Sequence, residues 1–99
     1  MSHTVSAIFR FNDGGKQKFL DILNGPDGLV VTRAWEGCVS TNVFESSEDT
    51  NLLVIWGKWD SKANHDSYLE MRKSTGLFDK VVGMLSEPLQ VLHLDSVSV

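Results

Sequence analysis

The chain has 99 residues, of which 41% are hydrophobic and 22% charged. That is ordinary globular composition, and it excludes disordered, collagen-like and low-complexity classes. The length predicts one domain, residues 1–99, and excludes a two-domain enzyme with its own nucleotide-binding half. Nine Lys and Arg residues against thirteen Asp and Glu give a net charge of −4. Because the basic residues are scattered, we expect no nucleic-acid partner.

Membrane association and secretion are also disfavoured by the sequence. The longest apolar run, residues 52–56, is far shorter than the roughly 20 residues of a membrane helix. The N-terminal residues lack the basic and then apolar pattern of a signal peptide. Cys38 is the single cysteine, so an internal disulfide is excluded and a reducing compartment fits best. We therefore expect a cytoplasmic protein.

The first third of the chain predicts one strand followed by two helical segments. Apolar residues at every second position of 5–11 are typical of a strand. Residues 16–24 carry an apolar stripe at helical spacing, and Gly25-Pro26 ends that helix because proline removes a backbone donor. Residues 27–35 predict a second, shorter helix.

The rest of the chain predicts two adjacent strands, two helices and a final strand. The second strand, 38–46, is rich in β-branched residues, and a turn-rich loop precedes the third, 52–59. Asp60 or Ser61 is the expected N-cap of the next helix. The remaining predicted elements are helices over 61–74 and 77–85 and a long strand over 89–99.

The predicted order is that of an α+β, ferredoxin-like βαββαβ fold, a four-stranded antiparallel sheet with its helices on one face. The third strand is apolar on both faces: one carries Leu52, Val54 and Trp56, and the other carries Leu53, Ile55 and Trp59. The chain's own helices can cover only one face. We therefore expect a homodimer in which two sheets pack face to face, with Trp56 in the interface.

Four segments carry a family resemblance. They are Gly37-Cys38, the run Asn-Leu-Leu-Val-Ile-Trp-Gly-Lys-Trp-Asp-Ser at 51–61, Tyr-Leu-Glu-Met-Arg at 68–72 and Gly-Leu-Phe at 76–78. Together they resemble the antibiotic biosynthesis monooxygenase-like family, a branch of the dimeric α/β-barrel superfamily, over almost the whole chain. The resemblance implies that two protomers close a dimeric α/β barrel, with a ligand pocket between each sheet and its helices. The best-understood members oxidise electron-rich polycyclic phenols with O2, without metal or flavin, and others degrade haem.

The resemblance also suggests the site residues. Trp59 matches the family's pocket tryptophan, and its ring would form a wall for an aromatic ligand. His65, Tyr68 and Arg72 share one helical stripe with Leu69. As candidate catalytic residues, Tyr68 would donate a hydrogen bond to a phenolate, Arg72 would stabilise negative charge and His65 would move a proton. The alternative is that Trp59 fixes the corner between strand and helix, and that the stripe simply packs on the sheet.

Three further residues are candidates for ligand binding. Arg10 lies on the first strand, and Asn42 and Phe44 share one face of the second, so these three are hypothesised to line the same pocket. The alternative for Arg10 is a side chain that extends to the sheet edge. His3, His65 and His93 lack the spacing of metal ligands. We therefore expect no metal and no cofactor.

Haem-degrading relatives carry an Asn on the first strand and a His on the helix after the Trp. This chain has Ala7, Ile8 and Tyr68 at the corresponding positions, which argues against a haem oxygenase. Two hypotheses remain. One is a cofactor-independent monooxygenase that acts on a small phenol- or quinol-type aromatic. The other is a non-catalytic dimer that binds a small apolar ligand or serves as a structural module.

Overall fold

The computed structural model describes residues 2–99 of the chain, which form four strands and four helices. In chain order these are β1 (His3–Arg10), α1 (Gly15–Leu23), α2 (Leu29–Ala34), β2 (Cys38–Glu45), β3 (Leu52–Trp59), α3 (Lys62–Ser74), α4 (Leu77–Val82) and β4 (Gln90–Leu94). Within residues 2–99, no helix is long and apolar enough to cross a membrane.

The strands form one sheet in the order β2-β3-β1-β4, with every neighbouring pair antiparallel. Ala7 of β1 lies opposite Ile55 of β3 on one side and Val91 of β4 on the other. The helices cover one face of this sheet. The predicted α+β, ferredoxin-like arrangement is therefore confirmed.

Local sequence signals explain where the helices begin and end. α1 ends at Leu23, just before Gly25-Pro26, because proline has no backbone N–H with which to continue the helical hydrogen bonds. α3 is capped by Ser61, whose side-chain oxygen accepts a hydrogen bond from the Asn64 backbone N–H at 3.2 Å. Of the two residues proposed as N-cap, Ser61 is the one that serves.

The last strand and the last helix are shorter than predicted. β4 ends at Leu94, which lies opposite Thr4. Since β1 begins at His3, almost no partner strand remains beyond that pair, and residues 95–99 are not part of the sheet despite their alternating pattern. α4 ends at Val82, and Leu85 instead forms an isolated bridge with Phe11.

The two faces of the sheet differ in what covers them. The helix-facing side holds the core, where Phe9, Phe11 and Phe19 stack with ring centroids 4.9–5.9 Å apart beside buried Leu53. The opposite face has no covering element within residues 2–99. Trp56 is 52% exposed there and packs edge-on against Phe44 at 5.8 Å.

Candidate functional site

A cavity of about 140 Å³ lies between the sheet and the helices. Its walls are almost entirely apolar because they come from the inward face of the strands and the sheet-facing sides of the helices. Characteristic wall residues are Ala7, Phe19, Ile55, Leu69, Phe78 and Val81. Such a lining favours an apolar or aromatic ligand oriented by a few polar groups.

Trp59 forms a buried wall of this cavity, with only 2% of its surface exposed. Its ring lies 5.2 Å from that of Tyr68 and 5.4 Å, edge-on, from that of His65. Gly57, two residues earlier on the same face of β3, leaves space for the indole, since a Cβ there would lie 2.7 Å from Trp59 Nε1. Trp59 thus lines this cavity from the end of β3, just before α3.

Arg72 anchors the polar end of the cavity. It is 8% exposed, and four of its five N–H groups are engaged. Nε donates to the Tyr68 hydroxyl at 2.8 Å, while the terminal nitrogens donate to the Asp27 carbonyl at 2.6 Å, the Gly28 carbonyl at 3.0 Å and Thr32 Oγ1 at 3.0 Å. The guanidinium therefore ties α3 to the start of α2.

The charge of Arg72 is compensated by oxygen dipoles and by the Tyr68 ring, whose centroid lies 5.1 Å from the guanidinium carbon. Among residues 2–99, no carboxylate lies within 4.0 Å of its guanidinium. A buried cation that has oxygen dipoles and an aromatic face around it but no carboxylate retains a positive potential that favours an anion nearby. Negative charge that develops on a ligand at this end of the cavity would be stabilised.

The hydroxyls of Thr32 and Tyr68 lie 2.7 Å apart and both accept from Arg72. Each hydroxyl carries one proton, and their mutual hydrogen bond uses only one of the two. One hydroxyl proton is left to donate elsewhere. The pair can thus offer a donor to an oxygen of a bound ligand.

His65 supplies the other polar group of the cavity wall. It is 6% exposed, and its Nδ1 is buried without a hydrogen-bond partner. Burial, followed by the nearby His93, lowers the pKa of His65 to about 4 from the usual 6.5. The ring is therefore neutral at neutral pH.

The three histidines of the chain meet in space, which their spacing in sequence does not reveal. His3 and His93 stack at 5.1 Å and share a 2.9 Å hydrogen bond between Nε2 and Nδ1, and the His93 ring lies 5.7 Å from His65. Antiparallel pairing of β1 with β4 brings the first two together. Across residues 2–99, no group of three or more His, Cys, Asp or Glu residues has the geometry to hold a metal ion.

The structure brings four of the seven sequence-predicted site residues together: Trp59, His65, Tyr68 and Arg72 all line the cavity. It does not bring Arg10, Asn42 and Phe44 there. Alternation along β1 and β2 turns those three away from the helices, so the expectation that they share this pocket is wrong for the single chain. Arg10 instead reaches Glu87, with Nε 3.4 Å from a carboxylate oxygen.

Sequence reasoning missed the contribution of α2 and the turn before it. Thr32 and the carbonyls of Asp27 and Gly28 complete the polar end of the cavity. Thr32 occupies one position of a short helix, and backbone carbonyls carry no residue signature. One residue of the sequence could have indicated the turn before α2, and that residue is Gly28. A Cβ there would lie 2.2 Å from the Leu23 carbonyl oxygen, because the turn packs tightly against the end of α1.

Comparison with known proteins identifies the fold. No family model and no curated protein matches the sequence. Three solved structures superpose over nearly the full chain. The first is Rv0793 from Mycobacterium tuberculosis, with a TM-score of 0.80 and 22% identity over 100% of this chain and 98% of that one. The second is a putative antibiotic biosynthesis monooxygenase from Chloroflexus aurantiacus, with a TM-score of 0.77 and 17% identity over 100% of this chain and 96% of that one. The third is a monooxygenase from the gene ActVA-Orf6 of Streptomyces coelicolor in complex with the ligand nanaomycin D, with a TM-score of 0.79 and 15% identity over 99% of this chain and 89% of that one. The chain therefore has the fold of the antibiotic biosynthesis monooxygenases.

Proposed function

We propose that this protein is a cofactor-independent monooxygenase that oxidises an electron-rich, hydroxylated aromatic with O2. The observation that carries the proposal is the polar end of an otherwise apolar cavity, where Arg72, Tyr68 and Thr32 meet beside Trp59. The similarity in fold to the Streptomyces coelicolor monooxygenase in complex with the ligand nanaomycin D supports a small-molecule ligand.

In this proposal the protein binds the aromatic against Trp59, excludes water and stabilises its anion. Loss of the ring hydroxyl proton makes the substrate a good one-electron donor, and Arg72 with the hydroxyl pair stabilises the resulting negative charge. One electron passes from the anion to O2, and the aryloxyl radical and superoxide combine to form a peroxide anion, which takes back the proton that the ring hydroxyl lost and becomes a hydroperoxide. Loss of water then gives a quinone, so one oxygen atom enters the product and the other leaves as water, with the substrate supplying all the electrons.

In this proposal Arg72 and His65 have different roles. Arg72, whose donors are mostly engaged by the protein itself, acts through its charge and by holding Tyr68 and Thr32 in place. His65, neutral at neutral pH, accepts a hydrogen bond and receives the proton only as the anion forms beside it.

Oxygen uptake with a panel of phenols and quinols tests the proposal. We expect uptake with the parent, quinone formation only in air, and a rate reduced about tenfold or more in Arg72→Met. Glu70→Gln, an exposed change on the same helix, is the matched control and should leave the rate unchanged. Binding without protein-dependent oxygen uptake across the panel would contradict the oxygenase proposal.

A non-catalytic ligand-binding dimer is the second candidate. The observation that favours it is the engagement of Arg72 by the protein's own carbonyls, which resembles a structural clamp. The same assay separates the two, since this candidate predicts stoichiometric binding in air and no product.

We also propose that the partner is a second copy of the chain and that the protein is cytoplasmic. The sheet face without a covering element carries Phe44, Trp56, Leu92 and Leu94, all at least 39% exposed. A chain of this size has little other means of covering such a face, and pairing two identical faces hides both. A cytoplasmic location agrees with the free thiol of Cys38.

A further inference from the structure

The cavity extends along the helix-facing side of β3. Trp59, the last residue of that strand, lines one end of it. The other end is lined by Val81, which packs with Phe9 and Leu53, two residues that lie opposite each other near the start of β3. Leu53 and Trp59 are six residues apart, or about 20 Å at roughly 3.3 Å per residue. The two ends of the cavity are therefore separated by most of the length of the strand.

The two ends of the cavity differ in polarity. The ring of Tyr68 lies 5.2 Å from that of Trp59, and its hydroxyl belongs to the hydrogen-bonded group formed with Thr32 and Arg72. Around α4 the wall consists of apolar residues, namely Phe9, Phe19, Phe78, Val81, Val82 and Leu89. A ligand that matches both ends carries its oxygen at the Trp59 end and hydrocarbon at the α4 end.

The cavity is partly open to solvent, and two of its lining residues are exposed, Asp27 and Val82. At Asp27 the wall is closed, because the carbonyls of Asp27 and Gly28 both accept hydrogen bonds from the buried guanidinium of Arg72. Val82, on α4, is 40% exposed. Within residues 2–99, no side-chain hydrogen bond or ion pair ties residues 77–82 to another element. The opening therefore lies at the apolar end, beside Val82.

We infer that the ligand is a phenol with an aliphatic chain, which extends along the cavity and reaches the opening beside Val82. The hydroxylated ring lies at the Trp59 end, next to the Thr32 and Tyr68 hydroxyls. This deepens the proposed function by naming its substrate class, and it rests on that proposal for the orientation of the ring. Each methylene that leaves water for the apolar wall should tighten binding about threefold.

Calorimetric titration without oxygen tests the inference apart from any reaction. The probes are p-cresol and p-hexylphenol, which share the hydroxylated ring and differ only in the length of the chain. We expect one ligand per protein chain, and we expect p-hexylphenol to bind at least about tenfold more tightly than p-cresol. Equal affinities, or no binding of p-hexylphenol, would overturn the inference.

Matched variants locate the end of the chain. Val82→Asp places a charge at the opening and should weaken binding of p-hexylphenol about fivefold, while the affinity for p-cresol stays nearly unchanged. Val30→Asp is the control, because Val30 is 62% exposed on α2 and lies outside the cavity lining. It should leave both affinities as in the parent. Equal effects of Val82→Asp on the two phenols, or the same loss in Val30→Asp, would overturn the assignment of the opening.

A measurement on the unsubstituted protein does not depend on the stability of these variants. Nuclear Overhauser effects should connect the terminal methyl group of bound p-hexylphenol with the Val82 methyls, and its ring protons with the Trp59 indole. Effects from the ring to Val82, or from the chain to Trp56 on the opposite sheet face, would overturn the inference.

The inference and the proposed function fail in different experiments. The titrations are anaerobic, so that a preference for p-hexylphenol without later oxygen uptake would refute the oxygenase proposal while supporting the ligand class. Oxygen uptake with equal affinities for the two phenols would support the oxygenase and overturn the inference.

Discussion

Arg72 Nε donates a 2.8 Å hydrogen bond to the hydroxyl of Tyr68, one turn earlier on α3, and the same guanidinium reaches the carbonyls of Asp27 and Gly28. One side chain thus orders the polar end of the cavity and joins two helices across it. Substitutions here are expected to change stability as well as binding, so that the two effects must be measured separately.

Arg72→Met should lower the free energy of unfolding by about 2–4 kcal/mol. The substitution retains much of the apolar stem but leaves two buried carbonyls and two hydroxyls without their donor. Urea denaturation measures the change, with Glu70→Gln as the exposed control expected within about 0.5 kcal/mol of the parent. A loss for Arg72→Met no greater than that of the control would contradict the structural role of the guanidinium.

Tyr68→Phe and Thr32→Val should each cost about 1 kcal/mol in unfolding free energy, and the double variant should cost less than the sum. Their hydroxyls share one hydrogen bond and a common donor, so removal of either already disrupts the pair. A double-mutant cycle by chemical denaturation measures the coupling, and strict additivity would contradict it.

The fold was accessible from sequence because hydrophobic periodicity and turn residues mark each element. Alternation in β1, the apolar run of β3, the break at Gly25-Pro26 and a cap at Asp60 or Ser61 gave the element order directly. The end of β4 could not be predicted from the sequence, since residues 95–99 keep a strand pattern. Only the register with β1 shows that almost no partner strand remains beside them. Element length thus depended on pairing, which the local pattern does not encode.

The sequence predicted the site residues only where they lie on a single helix or at the end of a strand. Helical spacing grouped His65, Tyr68 and Arg72 correctly, and the strand end placed Trp59 beside them. Arg10, by contrast, was assigned to the pocket without fixing which face of β1 turns towards the helices. A shift of one residue reverses the face, so an error of this kind moves a side chain to the other side of the sheet.

Gly37→Ala should destabilise the protein by about 2 kcal/mol or more. Gly37 has a φ of 87°, and a Cβ there would lie 2.3 Å from Asn64 Cγ in the first turn of α3. Gly76→Ala is the matched control, because Gly76 has a φ of 83° but nothing within 4 Å of a built Cβ. Gly76→Ala should lose about 1 kcal/mol of unfolding free energy, which is the cost of the strained backbone alone. Thermal or urea unfolding compares them, and equal losses would show that contact with Asn64 costs nothing.

Trp56→Asp should convert the proposed dimer into a monomer or prevent folding, because it would bury an unpaired charge in the interface at a cost of several kcal/mol. Light scattering across a micromolar dilution series measures the mass. The parent should have twice the mass of one chain. Lys58→Asp, two residues along the same face and exposed, also changes the charge of that face and shows whether the effect is specific to the indole position. A monomeric parent throughout the series would contradict the dimer.

Stability should fall as the pH falls from about 6.5 to about 4, by an amount on the order of 3 kcal/mol attributable to His65. The folded pKa of His65, about 4, lies below the ordinary 6.5. Over this range the unfolded chain therefore binds the extra proton more readily, and protonation favours unfolding. His93, His3 and Lys62 oppose protonation of the ring, while Asp66 favours it. Below about pH 4 the contribution of His65 levels off.

His65→Gln isolates this contribution, since it removes the titration while keeping a polar side chain. Urea midpoints at intervals between pH 7 and pH 4 should slope less steeply in the variant than in the parent. The carboxyl group of Glu45, whose pKa is lowered by its partner Lys16, contributes equally to both proteins and cancels in the comparison. Asp66, whose pKa is lowered mainly by Lys62, also interacts with His65, so its smaller contribution belongs to the difference between the two proteins. Parallel slopes over the whole range would contradict a buried, neutral His65, because that ring must take up a proton on unfolding.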